Sequence, residues 1–158
     1  MAALRRLGWL CLCACALPPA ASAATLDLSA ATIVVEAPAS PRSHTYAQLL
    51  SDEVFKRVFV RWPIANGTAA SGAGGVTITL GTDSPAEVDR SSPRAEGFDI
   101  SVGAAGVRIT GADQRGLLYG VGRLIRTMNL TLSENYFHAR RTTLTVPTPL
   151  AVHSVPDR

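Results

Sequence analysis

The chain has 158 residues, with 15 Lys and Arg against 12 Asp and Glu and a formal charge of +3. Arg5 and Arg6 carry two of those charges at the N-terminus and the other arginines are spread along the chain, so no nucleic-acid partner is expected. All three cysteines, Cys11, Cys13 and Cys15, lie in one apolar N-terminal run, which leaves the rest of the chain without disulfides or a thiolate metal site.

That run belongs to a targeting segment. Met1 to Arg6 is short and basic, Leu7 to Leu17 is apolar but too short to span a bilayer comfortably, and Ala21-Ser22-Ala23 has the small-x-small form of a signal-peptidase site. Residues 1–23 are therefore expected to be a cleaved signal peptide, with the mature protein secreted or periplasmic and not held at a membrane. Leu12 to Cys15 looks loosely like a lipobox, but too little apolar chain precedes it for a lipid anchor. About 135 residues then remain, enough for one domain with an ordinary hydrophobic core.

Thr32 to Val35 reads as a strand bounded by Pro38 and Pro41. A helix is expected from Ser43, taken as its cap, with Tyr46, Leu49, Leu50, Val54 and Val58 near helical spacing and Phe55 and Phe59 extending the apolar face. Ala65 to Gly75 is a low-complexity loop, Val76 to Leu80 a second alternating strand, and Gly81 to Ala95 polar and turn-rich.

The stretch from Glu96 to Leu132 carries the clearest pattern. Phe98, Ile100 and Val102 alternate with Asp99 and Ser101, as in a half-buried strand. Gly103 and Gly106 frame a tight turn, and Val107 and Ile109 alternate with Arg108 and Thr110 on the return. Asp113 is placed to cap a helix in which Leu117, Leu118, Val121, Leu124, Ile125 and Met128 form one apolar face. Thr143 to Pro147 is a last short strand, and Thr148 to Arg158 is proline-punctuated without a period. The order is β-α-β-β-β-α-β, expected as an α+β fold: a largely antiparallel sheet with two helices packed on one face.

Little of this suggests chemistry. Asp83, Glu87 and Asp89 share a loop, but their spacing is not that of a calcium loop, and solvated turn residues explain them. His44, His138 and His153 lie far apart with no ligand at i+3 or i+4. Gly116, Gly120 and Gly122 look like a phosphate loop only superficially; inside a helix they are better read as points of close helix–sheet packing. No catalytic, cofactor-binding or metal-ligating residue is assigned. Asn66-Gly67-Thr68 and Asn129-Leu130-Thr131 are N-glycosylation sequons, meaningful at Asn66 and Asn129 in a eukaryotic host.

Glu96, Gly97, Phe98, Ile100, Val102, Gly106, Val107, Ile109, Gly111, Asp113, Arg115, Gly116, Leu117, Tyr119, Gly120 and Leu124 together carry a resemblance. They resemble the N-terminal non-catalytic α+β domain of glycoside hydrolases, the second domain of bacterial-type β-N-acetylhexosaminidases of glycoside hydrolase family 20. Similar domains precede the barrels of α-glucuronidases and family 84 enzymes. The resemblance implies that residues 24–150 form this domain. Residues 151–158 would then begin the linker to a catalytic (β/α)8 barrel, the domain's intramolecular partner, which would carry the carboxylates that glycoside hydrolysis needs.

Three functions follow as expectations. The first is a buttress for the barrel of a secreted glycosidase, with an exposed apolar patch where the barrel docks. The second is a free-standing carbohydrate-binding or protein-interaction domain, for which Trp62, Tyr136 and Phe137 are the aromatic candidates. The third, a small enzyme in its own right, finds no convergent catalytic groups to support it.

Overall fold

The computed structural model describes residues 24–37, 39–67, 75–84, 95–134 and 140–155, with 133, 134, 140 and 141 by backbone alone. In chain order the elements are β1 (Ala24–Asp27), β2 (Thr32–Val35), α1 (Pro41–Val58), β3 (Ile64–Asn66), β4 (Thr77–Thr82), β5 (Phe98–Gly103), β6 (Gly106–Gly111), α2 (Gln114–Thr127), β7 (Asn129–Glu134), β8 (Arg140–Thr148) and β9 (Leu150–Ser154). The signal-peptide residues and cysteines, with Glu87, Asp89, Tyr136, Phe137 and His138, lie outside the described residues.

Six strands form the main sheet in the order β3-β2-β4-β6-β5-β9, and three form a smaller one, β1-β8-β7. The α+β expectation holds. Antiparallel ladders link β5 with β6, β5 with β9, β1 with β8 and β7 with β8. In the large sheet the run β3-β2-β4-β6, from one edge inward, is parallel. Parallel neighbours need long crossovers, and α1 supplies one between β2 and β3.

Alternation along the strands sorts the large sheet into two faces. Ile33, Val35, Ile78, Leu80, Ile100, Val102, Val107 and Ile109 share the face covered by the helices and are buried. Helix α1 packs on β2 and β4 and against β7 and β8, while α2 packs on β4, β5 and β6. Leu28, Leu144 and Val146 of the small sheet and its approaches join the same core. Each fully buried Leu, Ile or Val contributes about 2 kcal/mol through removal from water, and a chain with no cysteine after residue 15 depends on that contribution.

The two helix caps differ in how well their residue was anticipated. Asp113 is the N-cap of α2, as expected. The cap of α1 is Ser40, not Ser43: Pro41 opens the first turn and Ser43, three residues in, donates its N–H to Ser40 Oγ at 3.1 Å. Pro at the first helical position loses no hydrogen bond, so the helix starts earlier than the apolar spacing suggests. The buried stripe of α1 is Ser43, Ala47, Leu50, Ser51, Val54 and Val58. Leu49, Phe55 and Phe59 do not extend it; they are exposed.

Four strands were not expected. Of these, β9 corrects the reading of Thr148 to Arg158 as aperiodic: Leu150 to Ser154 pairs antiparallel with β5, so the sheet continues past residue 150.

Candidate functional site

Glu96, Gly97, Asp113, Arg115 and Gly116, five of the residues that carry the resemblance, converge on one structural knot where β5 begins and α2 starts. Asp113 is fully buried. Gly116 N–H donates to its Oδ1 at 2.8 Å and Glu96 N–H donates to its Oδ2 at 3.2 Å. One carboxylate therefore caps the helix and holds the turn before β5. Ala112 N–H donates to Gly97 O at 2.9 Å, and Arg115 Nη1 reaches Glu96 Oε1 at 3.1 Å. Glu96 sits at φ +65°, a region that costs a non-glycine residue about 1–2 kcal/mol, and these contacts hold it there.

The glycines explain themselves individually. A Cβ on Gly116 would collide with Gly97 O, and one on Gly120 would press into Ile109 Cγ2 at 2.6 Å, so both allow α2 to lie against β5 and β6. Gly106, at φ +148°, turns the hairpin and passes beside the Thr77 backbone of β4. Gly122 is different: only Arg126 Nη1, at 3.7 Å, comes near its Cβ position. None of these glycines forms a phosphate cradle.

Two surfaces remain as candidates for function. The first is the outer side of the helix layer. Tyr119 lies opposite the buried stripe of α2 and is 46% exposed. Leu49, Phe55 and Phe59 are exposed on α1 and at its C-cap, with Ile64 on the adjoining β3. The Phe55 and Phe59 rings meet edge to face at 6.0 Å, and the Arg61 guanidinium sits 4.6 Å from the Phe55 centroid. Phe59 holds a left-handed conformation, φ +59°, where glycine is the usual C-cap residue. A groove of about 310 Å³ runs beside this cluster, lined by Gln48, Asp52, Arg61, Trp62 and Ile64.

The second surface is the sheet face away from the helices. It presents Thr77, Asp99, Ser101, Arg108 and Thr110 and is crossed by one ion pair and one Asp–His contact. Arg108 Nη2 lies 2.6 Å from Glu36 Oε2, and Asp99 pairs with His153 across β5 and β9. The Asp99–His153 pair could not be anticipated without β9. It is exposed, and among the described residues no third polar side chain joins it.

The remaining sequence candidates scatter. Asp83 is an exposed residue whose N–H donates to Gly111 O. His44 lies on α1 and His153 on β9. Among the described residues, no three of His, Cys, Asp and Glu gather as a metal site. Trp62 is not a surface platform: it is 2% exposed, its Nε1 donates to Leu28 O at 2.8 Å, and Ser51 bridges its backbone.

Residues 19–139 match glycosyl hydrolase family 20, domain 2. The chain belongs to that family. Comparison with curated protein sequences returned no match. Among solved structures, Flavobacterium johnsoniae chitobiase is similar with a TM-score of 0.52 at 14% identity, covering 84% of this chain and 18% of that one. The family 20 β-N-acetylhexosaminidase of Streptomyces coelicolor A3(2) gives 0.51 at 23% identity, over 81% of this chain and 22% of that one. The exo-β-N-acetylglucosaminidase of Vibrio harveyi gives 0.50 at 12% identity, over 84% and 16%. These likenesses show a shared fold, and this domain 2 chain spans at most 22% of the length of those three proteins.

Proposed function

We propose that this domain is the non-catalytic N-terminal part of a secreted glycoside hydrolase, where it buttresses a catalytic (β/α)8 barrel. The observation that carries the reading is how the matched motif is used. Asp113, Glu96, Arg115, Gly97 and Gly116 are engaged with one another in setting α2 on the sheet. A motif occupied with its own fold fits a scaffold better than a reaction centre. The outer helix side supplies the docking surface: Leu49, Phe55, Phe59 and Tyr119 are large, apolar and exposed, whereas the opposite sheet face is polar.

The names of the similar structures, chitobiase and β-N-acetylhexosaminidase among them, favour a parent enzyme that releases terminal N-acetylhexosamine. An α-glucuronidase-like parent is the neighbouring alternative. Secretion rests on the signal-peptide pattern of residues 1–23.

The test is immunopurification of the native protein with an antibody to residues 96–128, followed by sizing and assay on p-nitrophenyl N-acetyl-β-glucosaminide and p-nitrophenyl glucuronide. The expected result is a secreted protein several times larger than this chain, hydrolysing one of the two. An inactive secreted protein no larger than residues 24–158 would overturn the reading.

A further inference from the structure

Each of the two sheets has one edge strand that holds the asparagine of an Asn-x-Thr tripeptide. β3 is one edge of the six-stranded sheet and β7 one edge of the three-stranded sheet, and among the described residues no strand pairs with the outer side of either. Open edges of this kind present unpaired N–H and C=O groups to any passing strand, and proteins that persist in solution cover or blunt them. β3 ends in Asn66 of Asn66-Gly67-Thr68, and β7 begins with Asn129 of Asn129-Leu130-Thr131. Both asparagines are exposed.

The geometry at β7 is favourable in detail. Alternation sends Leu130 and Leu132 towards the core and leaves Asn129 and Thr131 exposed on the other face. The Thr131 hydroxyl donates to Asn129 Oδ1 at 3.0 Å. The amide and the hydroxyl two residues on are therefore side by side, and a large substituent on the amide meets no buried contact. The neighbours across the ladder, Thr145 and Thr143, continue a polar surface. At β3, Gly67 at φ +120° turns the chain directly after Asn66, so that side chain stands at the end of the edge strand.

We infer that Asn66 and Asn129 carry N-linked glycans, one shielding one of the two edges of each sheet. The inference rests on the export proposed above and adds a secretory compartment that holds a lipid-diphosphate oligosaccharide donor. In the transfer the asparagine Nδ2 loses one proton and bonds to C1 of the reducing-end sugar. The bond from C1 to the diphosphate oxygen breaks with its electron pair going to that oxygen, and the lipid diphosphate leaves as the anion while the amide proton passes to solvent.

Peptide mass spectrometry of the native secreted protein tests this directly. Trypsin releases residues 62–90 and 127–140, each with one sequon, and peptide-N-glycosidase converts a glycosylated asparagine to aspartate. The expected result is an N-terminus at residue 24, with both peptides detected only after the glycosidase and each then carrying aspartate in place of its sequon asparagine. A processed N-terminus with unmodified peptides would overturn the glycans while leaving export intact, and an intact Met1 on an intracellular protein would overturn both. The shielding role has its own readout: the secreted Asn66→Gln/Asn129→Gln double variant is expected to self-associate on sizing, and a double variant as monodisperse as the native protein would overturn that role.

Discussion

The helix-covered face and the open face of the large sheet are made of the same strands' alternate residues, yet they do different work. On the helix side, Ile78, Leu80, Val107 and Ile109 are buried beneath α1 and α2, and the matched motif closes around Asp113. Beyond the helices, Leu49, Phe55, Phe59 and Tyr119 remain exposed. On the other face Asp99, Ser101 and Arg108 are exposed and polar, with Glu36 as partner for Arg108 and Asp99 for His153. On the proposed reading, this difference marks the side on which the barrel docks. Large apolar side chains left outside the helix layer are the stronger candidates for contact with a neighbour.

The comparison breaks first at the knot. Gly116→Ala drives a methyl group into Gly97 O and is expected to cost at least about 3 kcal/mol or to prevent folding, as read by urea denaturation of residues 24–158. Asp113→Ala removes the cap of α2 and leaves Glu96 N–H without its acceptor, an expected loss of about 3 kcal/mol in the same assay. Losses under about 1 kcal/mol for both would mean that the motif does not hold the fold.

Gly122→Ala sharpens the contrast by its sign. With nothing but Arg126 near the added methyl, the substitution is expected to stabilise the isolated domain by about 1 kcal/mol through helix propensity. A loss instead would place an intramolecular contact at Gly122. On the open sheet face, Arg108→Ala breaks an ion pair whose arginine is about half exposed and is expected to cost no more than about 0.5 kcal/mol.

The smallest effect belongs to α1. The hydrogen bond and charge of Lys56 hold the Glu53 carboxyl below its usual range, and Glu53 in turn raises Lys56. The pair's contribution is therefore present at neutral pH. It is lost as pH falls through the lowered Glu53 value and as pH rises through the raised Lys56 value. Both groups are solvated, so Glu53→Gln is expected to leave the melting temperature unchanged within scatter at about pH 7.

Much of this architecture is legible in residue order. The 98–111 hairpin, the Asp113 cap and the apolar stripe of α2 are local features, set by alternation, turn glycines and helical spacing. What escapes is non-local. β1 and β3 are four and three residues long, too short to show a period, and exist because β8 and β2 offer them partners. β9 does alternate, with Leu150 and Val152 packed inward, but its flanking prolines mask the pattern. The burial of Trp62 follows from Leu28 O and Ser51 Oγ, contacts that span 34 and 11 residues. The Asp99–His153 pair depends on β9 lying beside β5, which no local pattern in either segment specifies.

If the barrel docks as proposed, the outer side of the helix layer is covered in the native protein. Hydroxyl-radical footprinting of the native protein beside isolated residues 24–158, read peptide by peptide, tests it most directly. Leu49 and Tyr119 are expected to be oxidised in the isolated domain and protected in the native protein, while His153 on the open sheet face is oxidised equally in both. Equal oxidation of Leu49 and Tyr119 in the two samples would contradict it.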